Sequence, residues 1–332
     1  LKPNFFGTYS NLANSFHKLG LFREAIRSYK KAIELNNNSP ETYNNYGNLL
    51  RQLGNLIDSE NNFKKAITLN PNFAKAYANL GNVYRMTGKI EESINAYEKA
   101  INIEPKLHGA EAHLIFQKKN ACDFSISEKI LERSSQLGIT TKSIGPFSTI
   151  CWNDNPEEQF LRSKKYVEEN FKNKKFSINH KFNYKNKKIK IGYFSADFYD
   201  FPSMHVMIGL LEKHNKDLFE IYAFSFGPNN NDWMNKRVKS AVDHFIDVTH
   251  LSVKKVIEKV RNLKIDIAID ENGYTFNART ELFQHRLSPI QINFMGFPST
   301  TGANFIDYMI ADNVVIPDKF RRFYSEKIIY LP

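Results

Sequence analysis

The chain has 332 residues, long enough for two or three domains with their own cores, and its formal net charge of +11 comes from scattered lysines. The densest basic stretch, Lys181 to Lys190 (KFNYKNKKIK), reads as a linker, so acidic partners are admitted, while nucleic acid is not expected without a basic stripe or a binding motif. Cys122 and Cys151 give neither a C-x-x-C pair nor a disulfide framework, which predicts buried thiols in a reducing compartment. No apolar run reaches 18 residues and no charged-then-apolar leader stands at the start, so the expectation is a soluble, cytoplasmic protein with no membrane partner. The chain begins with Leu1 inside a repeat-like pattern, which predicts a fragment of something longer.

From the start to about residue 106 the same chemistry returns every 34 residues: Tyr9, Tyr43 and Tyr77; Gly20, Gly54 and Gly88; Tyr29, Phe63 and Tyr97; Ala32, Ala66 and Ala100. Each set falls where a tetratricopeptide repeat (TPR) has an aromatic, a turn glycine or a small packing residue, which predicts three units over 7–40, 41–74 and 75–108. Each unit is expected to be two antiparallel helices that bury their apolar faces only by stacking, leaving a concave groove. Two asparagine sets share the period, Asn11, Asn45, Asn79 and Asn14, Asn48, Asn82. An asparagine offers a donor and an acceptor together, so such a ladder can hold the backbone of an extended peptide without reading its side chains. The first set is the preferred ladder; the competing reading is solvated helix surface.

Residues 107–180 keep a helical pattern without the period, in Ile126 to Leu137 and Pro156 to Phe171, and read as a connector capping the stack. Phe124, Phe147 and Trp152 in this region are expected in the core. After the basic linker, 181–188, residues 189–332 switch to short apolar runs separated by amphipathic stretches. Strands are predicted at Ile189 to Phe194, Phe219 to Phe226, Phe245 to Val248, Ile265 to Ile269, Ile290 to Met295 and Ile328 to Leu331. Helices are predicted at His205 to Lys213, Trp233 to Ala241, Ser252 to Leu263 and Arg279 to His285. This alternation predicts a parallel sheet with helices on both faces, whose ligands bind outside the carboxyl ends of the strands. The stretches that follow the strands are polar: SADFYDFPSMH (195–205), DENGY (270–274) and GFPSTTG (296–302). No G-x-G-x-x-G marks an ordinary nicotinamide or flavin site, and no Asp-x-Asp marks a divalent cation on a sugar nucleotide, so the expectation is no cofactor and no metal.

These stretches resemble the amino-terminal catalytic lobe of the protein O-GlcNAc transferase family, which includes the SPINDLY-type O-fucosyltransferases. The matching segments are IKIGYFSADF, HFIDV (244–248), NGYTFNARTELFQHRLSPIQINFMGFPSTTGANFIDYMIAD (272–312) and SEKIIYLP, with ACDF (121–124) and the repeats upstream. The resemblance implies a TPR solenoid followed by a Rossmann-like lobe, the first half of a B-type glycosyltransferase fold. It also implies an inverting transfer of sugar, GlcNAc from UDP-GlcNAc first and fucose from GDP-fucose as an alternative, to Ser or Thr of a protein acceptor held by the repeats. A different alternative is a TPR adaptor with a non-catalytic lobe.

For proton handling the resemblance points to Asp197, His205 and His244. Phe201 stands where the family has a histidine, and phenylalanine can neither accept nor orient a proton. Both histidines also fit a packed role. For the sugar-nucleotide or acceptor cleft it points to Arg279, whose planar fork suits a phosphate, and to Gly296, Phe297, Pro298, Thr300 and Thr301 as an anion-binding turn. Asn272 and Tyr274 are expected beside them. Surface pairing of Arg279 with Glu281 and an ordinary strand-to-helix turn are the structural alternatives. Asp307 and Asp312 read as caps and turn residues. The family's second lobe carries most nucleotide contacts, so the 332 residues alone are expected to show no transfer.

Overall fold

The first helices of the repeats begin at 34-residue intervals: α1 spans Phe6–Lys18, α3 Pro40–Gln52, α5 Ala74–Met86 and α7 His108–Asn120. Their partners are α2 (Phe22–Leu35), α4 (Leu56–Leu69) and α6 (Ile90–Ile103), followed by the short α8 (Glu128–Ser134). This computed structural model describes residues 5–126, 128–171, 188–228 and 230–332, so 181–187 of the expected linker lie outside the described residues. The chain divides into two compact units, Leu1–Ile144 and Gly145–Pro332; the stretch read as a connector is shared between them.

In the repeat unit the turn glycines take the left-handed conformation, with φ of 72° at Gly20, 78° at Gly54 and 73° at Gly88, where a side chain would be strained. Tyr29, Phe63 and Tyr97 are fully buried with Ala32, Ala66 and Ala100, so the predicted register is the packing register. Ser59 Oγ donates to Gly47 O at 2.8 Å and Ser93 Oγ to Gly81 O at 3.0 Å, tying second helix to first inside a repeat. The helical beat outlasts the sequence signature. α7 starts in phase, 34 residues after α5, and covers α6 with Ala110 and Leu114, although Glu111, His113 and Ile115 have replaced the tyrosine, asparagine and glycine of the earlier units. A helix that closes a stack needs the apolar face but not the close-approach residues that admit another repeat.

The second unit opens with a 3-10 turn at Pro146–Thr149 and α9 (Pro156–Asn170), whose N-terminus is capped by Asn155 accepting from the Glu157 and Glu158 amides at 3.0 and 3.3 Å. A seven-stranded sheet follows, with β1 at Ile189–Ser195, β2 at Phe219–Ser225, β3 at His244–Asp247, β4 at Ile267–Asp270, β5 at Ile290–Phe294, β6 at Tyr308–Ala311 and β7 at Lys327–Tyr330. Its order is β3-β2-β1-β4-β5-β6-β7 and neighbouring strands run parallel. Between strands lie α10 (Pro202–Glu212), α11 (Trp233–Ala241) and α12 (Val253–Leu263). β6 was not expected, because its four residues YMIA carry too short an apolar run between Asp307 and Asp312. The helix expected over 279–285 is instead a 3-10 segment, Thr280–His285.

The side-chain alternation of the strands sorts the two cores. Ile191, Tyr193, Ile221, Ala223 and Ile269 face α10 and α11 through Met204, Met207, Leu211, Met234 and Val238. Phe194, Tyr222, Phe224 and Ala268 face the other way, onto α12, the 3-10 segment and α9 through Val256, Val260, Phe283 and Val167. Phe194 and Phe224 stack at 4.5 Å across β1 and β2, buried at the centre of this second face.

Three expectations fail at exposed turns. Cys122 and Cys151 are exposed; Cys122 sits at φ 53° in the turn that ends α7, and a turn cannot bury its side chain among helices. Phe124 is 72% exposed with the Lys119 ammonium 5.0 Å from its ring, while Phe147 and Trp152 are half-buried.

Candidate functional site

The strand order places the topological switch between β1 and β4: from β1 the chain goes to β2 and β3 on one side, then returns to β4 on the other. Such a reversal opens a crevice outside the carboxyl ends of the two strands. Ser195, Ala196 and Asp197 leave β1 there, and Asp270, Glu271 and Asn272 leave β4. The fully buried Asn272 side chain joins them: its Oδ1 accepts from the Ala196 amide at 2.7 Å, and its Nδ2 donates to Asp197 Oδ2 at 2.7 Å. Asp270 Oδ1 accepts from the amides of Asn272 and Gly273, both at 3.0 Å, which fixes the turn after β4. The exit of β5 closes on the same turn. A Cβ on Gly296 would stand 1.9 Å from the Glu271 carbonyl oxygen, so only glycine lets the two backbones meet.

Three carboxyls therefore crowd one crevice. Burial raises Asp197 above the usual aspartate range against the hydrogen bonds from Asn272 and Ser203. Burial pushes Asp270 up to about 6 and Glu271 up to about 8, with neighbouring acids adding to the rise. One oxygen of each of the latter two, Asp270 Oδ2 and Glu271 Oε1, is buried without a hydrogen-bond partner among the described residues. A carboxyl held above its ordinary pKa is a stronger base when ionised and a proton donor when not. Asp270 and Glu271 belong to no motif, and the signal available for them is the unusual run of three polar residues, Asp-Glu-Asn, at the end of a buried parallel strand.

Asp197 leads into a second, more open group at the start of α10. His205 Nε2 and Asp200 Oδ1 lie 2.8 Å apart, Trp233 Nε1 donates to Asp200 Oδ2 at 3.0 Å, and Asp232 Oδ2 accepts from the Asp200 amide at 3.0 Å. The His205 and Trp233 rings are 5.5 Å apart and both side chains are exposed. Phe201, just before α10, is 39% exposed and packs on Tyr199.

Five other residues taken from the sequence have their polar groups committed elsewhere. His244 opens β3 in register with Tyr222, three residues and about 10 Å short of the carboxyl end. Its ring stacks on Tyr222 at 4.4 Å and its Nε2 lies 2.9 Å from Glu220 Oε1, toward the amino end of β2, so it is not brought together with His205. The Arg279 guanidinium donates to Val248 O at 3.1 Å and Leu251 O at 3.2 Å and pairs with Glu281 at 3.4 Å; its fork clamps the loop after β3. Thr300 Oγ1 donates to Glu326 Oε2 at 2.7 Å, and the Thr301 amide and hydroxyl both donate to Glu326 Oε1, the amide at 2.7 Å. The buried Glu326 carboxylate thus fills the turn expected to hold a ligand anion. Tyr274 OH donates to Thr301 O at 2.6 Å, and its ring meets Tyr166 and Phe297, the latter buried; Pro298 is exposed. Asp312 behaves as a turn residue, accepting from the Val314 and Val315 amides at 2.9 and 2.8 Å.

In the repeat unit the two asparagine sets separate. Asn14 Oδ1 accepts from Tyr29 OH at 2.5 Å and Asn82 Oδ1 from Tyr97 OH at 2.9 Å, so this set locks the second helix of a repeat to its first. Phe63 has no hydroxyl for Asn48, which instead meets Arg51 at 3.5 Å. The other set faces outward: Asn11 is exposed, and Asn45 and Asn79 are half-buried and linked through Asn44, with Asn79 Nδ2 donating to Asn44 Oδ1 at 2.8 Å. An open hollow of ≈ 560 Å³ is lined by Asn14, His17, Lys18, Asn45 and Gln52.

Against known proteins, a model described as glycosyl transferase family 41 matches residues 167–332, half of the chain. Tetratricopeptide-repeat models match 13–54 and 38–106. Over 146 residues the chain is 39% identical to the probable UDP-N-acetylglucosamine–peptide N-acetylglucosaminyltransferase SEC of Arabidopsis thaliana, covering 44% of this chain and 15% of that protein. It is 34% identical to the UDP-N-acetylglucosamine–peptide N-acetylglucosaminyltransferase of Caenorhabditis elegans, over 44% of this chain and 13% of that one. The chain thus spans under a sixth of the length of these relatives. A solved mutant of the Thermobaculum terrenum O-GlcNAc transferase aligns over 98% of this chain and 57% of its own, with a TM-score of 0.60 and 20% identity, a likeness of fold.

Proposed function

Because the chain belongs to glycosyl transferase family 41, we propose that it is part of a protein glycosyltransferase that moves GlcNAc from UDP-GlcNAc to Ser or Thr hydroxyls, its repeats holding the acceptor polypeptide. The observation that carries this reading is the crevice between β1 and β4, where Asp197 sits among buried carboxyls inside the family-matched unit. The relatives' names supply donor and acceptor class.

Attack by a hydroxyl on the anomeric carbon needs the hydroxyl proton removed as the bond to the diphosphate breaks. Asp197, raised by burial and oriented by Asn272, suits that task, and His205, oriented by Asp200, offers a second proton carrier at the same strand end. Asn272, Arg279, Thr300, Thr301 and Tyr274 serve as supports that hold the exit loops of β1, β3 and β5 in place. The exposed Asn11 and the outward Asn45 and Asn79 hold acceptor backbone.

In the natural protein that carries this sequence, Asp197→Asn keeps an acceptor oxygen for Asn272 yet removes the base. Transfer of labelled GlcNAc to a Ser/Thr peptide should fall about 100-fold in kcat, with KM for the peptide little changed. Unchanged kcat removes Asp197 from the chemistry. The half-exposed Phe201, where the family has a histidine, favours one second reading, a repeat adaptor with a silent lobe. No transfer by the wild-type protein, with peptide binding intact, selects it.

A further inference from the structure

We propose that Arg51 and Arg85, on the consecutive first helices α3 and α5, form a site for a carboxylate side chain of an extended acidic peptide. The two belong to a cationic column with the repeat period, His17, Arg51, Arg85 and Lys119. Its outer members are engaged, His17 with Gln52 Oε1 at 2.6 Å and Lys119 over the Phe124 ring at 5.0 Å. A cation in the last turn of each first helix suits the helix dipole, but an exposed lysine meets that need. The inner pair is half-buried, Arg85 in hydrogen-bond contact with the Tyr97 side chain, and the two guanidiniums lie close enough to depress Arg51, whose pKa is lowered first by burial and then by Arg85.

Among the described residues Arg51 has no acidic partner to offset this. Its Nη2 donates to Asn48 Oδ1 at 3.5 Å, and its Nε is buried with no hydrogen-bond partner among the described residues. The sequences of α3 and α5 contain a single acid, Glu41, ten residues and about 15 Å along the helix from Arg51. Glu111 of α7 is taken by Arg133 at 2.5 Å and His108 at 3.4 Å. A third nitrogen-bearing side chain joins the cluster. His113 stands 34 residues after Asn79, in the ladder's register, with its ring 5.7 Å from Tyr97. Burial, then Arg85, then Arg51 push it down to about 3, so it stays neutral beside two fixed positive charges.

Two like charges half-removed from water, with no anion for Arg51 among the described residues, are a deficit that a ligand carboxylate fills, and the guanidinium fork matches a carboxylate edge. Asn45 and Asn79 on the same two helices suit the backbone on either side of such a residue, which makes a peptide the carrier. In this respect the inference rests on the peptide-holding reading of the repeats.

The test titrates the full chain by fluorescence anisotropy with extended peptides that differ only in a central glutamate, glutamine or phosphoserine. The glutamate peptide should bind about 10-fold tighter than the glutamine peptide. That ratio should shrink to within about two-fold in Arg51→Gln and survive in part in Arg51→Lys, circular dichroism confirming the fold. NMR of His113 gives an independent readout. Its pKa should rise when the glutamate peptide binds, and also in unliganded Arg51→Gln.

Equal affinity of wild type for glutamate and glutamine peptides overturns the site, as does an unchanged ratio in a folded Arg51→Gln. If that variant does not fold, the wild-type ratio and the His113 response decide alone. Phosphoserine binding more than about 10-fold tighter than glutamate overturns the carboxylate assignment in favour of phosphate. Binding that ignores the acid but is lost when Asn11, Asn45 and Asn79 become alanine removes this site and leaves the peptide-holding role standing.

Discussion

The repeat unit and the sheet unit spend their polar side chains differently. In the repeats, position decides: the set Asn14 and Asn82 turns inward to a tyrosine of its own repeat, and the set Asn11, Asn45 and Asn79 turns outward. In the sheet unit, most of the polar residues that follow the strands bind the protein's own backbone or side chains. Asn272 ties β4 to β1, Arg279 holds the loop after β3, and Thr300 and Thr301 hold Glu326. A polar residue at a strand end is therefore a weak sign of a ligand contact, because the loops there need internal hydrogen bonds to stand at all. What remains available at the crevice is the carboxyl group Asp197 and the exposed pair His205 and Asp200.

The sharpest way to break this contrast is at the backbone contact of the sheet unit. Gly296→Ala puts a methyl 1.9 Å from the Glu271 carbonyl and should cost on the order of 3 kcal/mol, read as a lower urea midpoint for the unit. The contact claim fails if the midpoint does not move.

A second, pH-dependent effect comes from the buried acids. Their pKa values are raised on folding, Asp270 from 3.8 to about 6 and Glu271 from 4.5 to about 8. Between those values the folded chain keeps protons that the unfolded chain has lost. The stability they lend is whole below about pH 4 and declines as pH rises through about 8. From pH 5 to pH 9 the sheet unit should lose stability steadily, and Glu271→Gln should remove most of that slope in denaturant melts. A flat wild-type profile contradicts the assignment.

The smallest effect lies in the repeats. Tyr97→Phe deletes the hydroxyl on Asn82 and should cost about 1 kcal/mol, giving the third repeat the arrangement the second already has with Phe63 and Asn48. The reverse change, Phe63→Tyr, should recover part of that amount in thermal melts. If both changes are silent, the inward asparagines have no stabilising role.

How much of this was legible in the sequence follows from where each residue's partner lies. The repeats were readable because each register position recurs, and even the inward asparagines could have been told apart: Asn14 with Tyr29 and Asn82 with Tyr97 share a spacing of 15 residues. The sheet was readable from its apolar runs, except β6, four residues between two aspartates. The crevice residues were harder. Arg279 finds its carbonyls 28 and 31 residues away and Thr301 finds Glu326 25 residues away, partners that no local pattern announces. His244 stands just before the strand expected at Phe245 to Val248, and only the register of β3 with Tyr222 gives it Glu220, 24 residues away, as its partner. α7 lost its signature while keeping its phase, so the beat of the stack was visible in the helices alone.

The central claim is that the outward asparagine set holds polypeptide while the inward set holds the fold. Side-chain amide NMR of the full chain during titration with an extended Ser/Thr peptide tests it directly. The account predicts that the Asn11, Asn45 and Asn79 amide signals shift with peptide while those of Asn14 and Asn82 stay in place. Shifts confined to Asn14 and Asn82, or none in either set at saturating peptide, would contradict it.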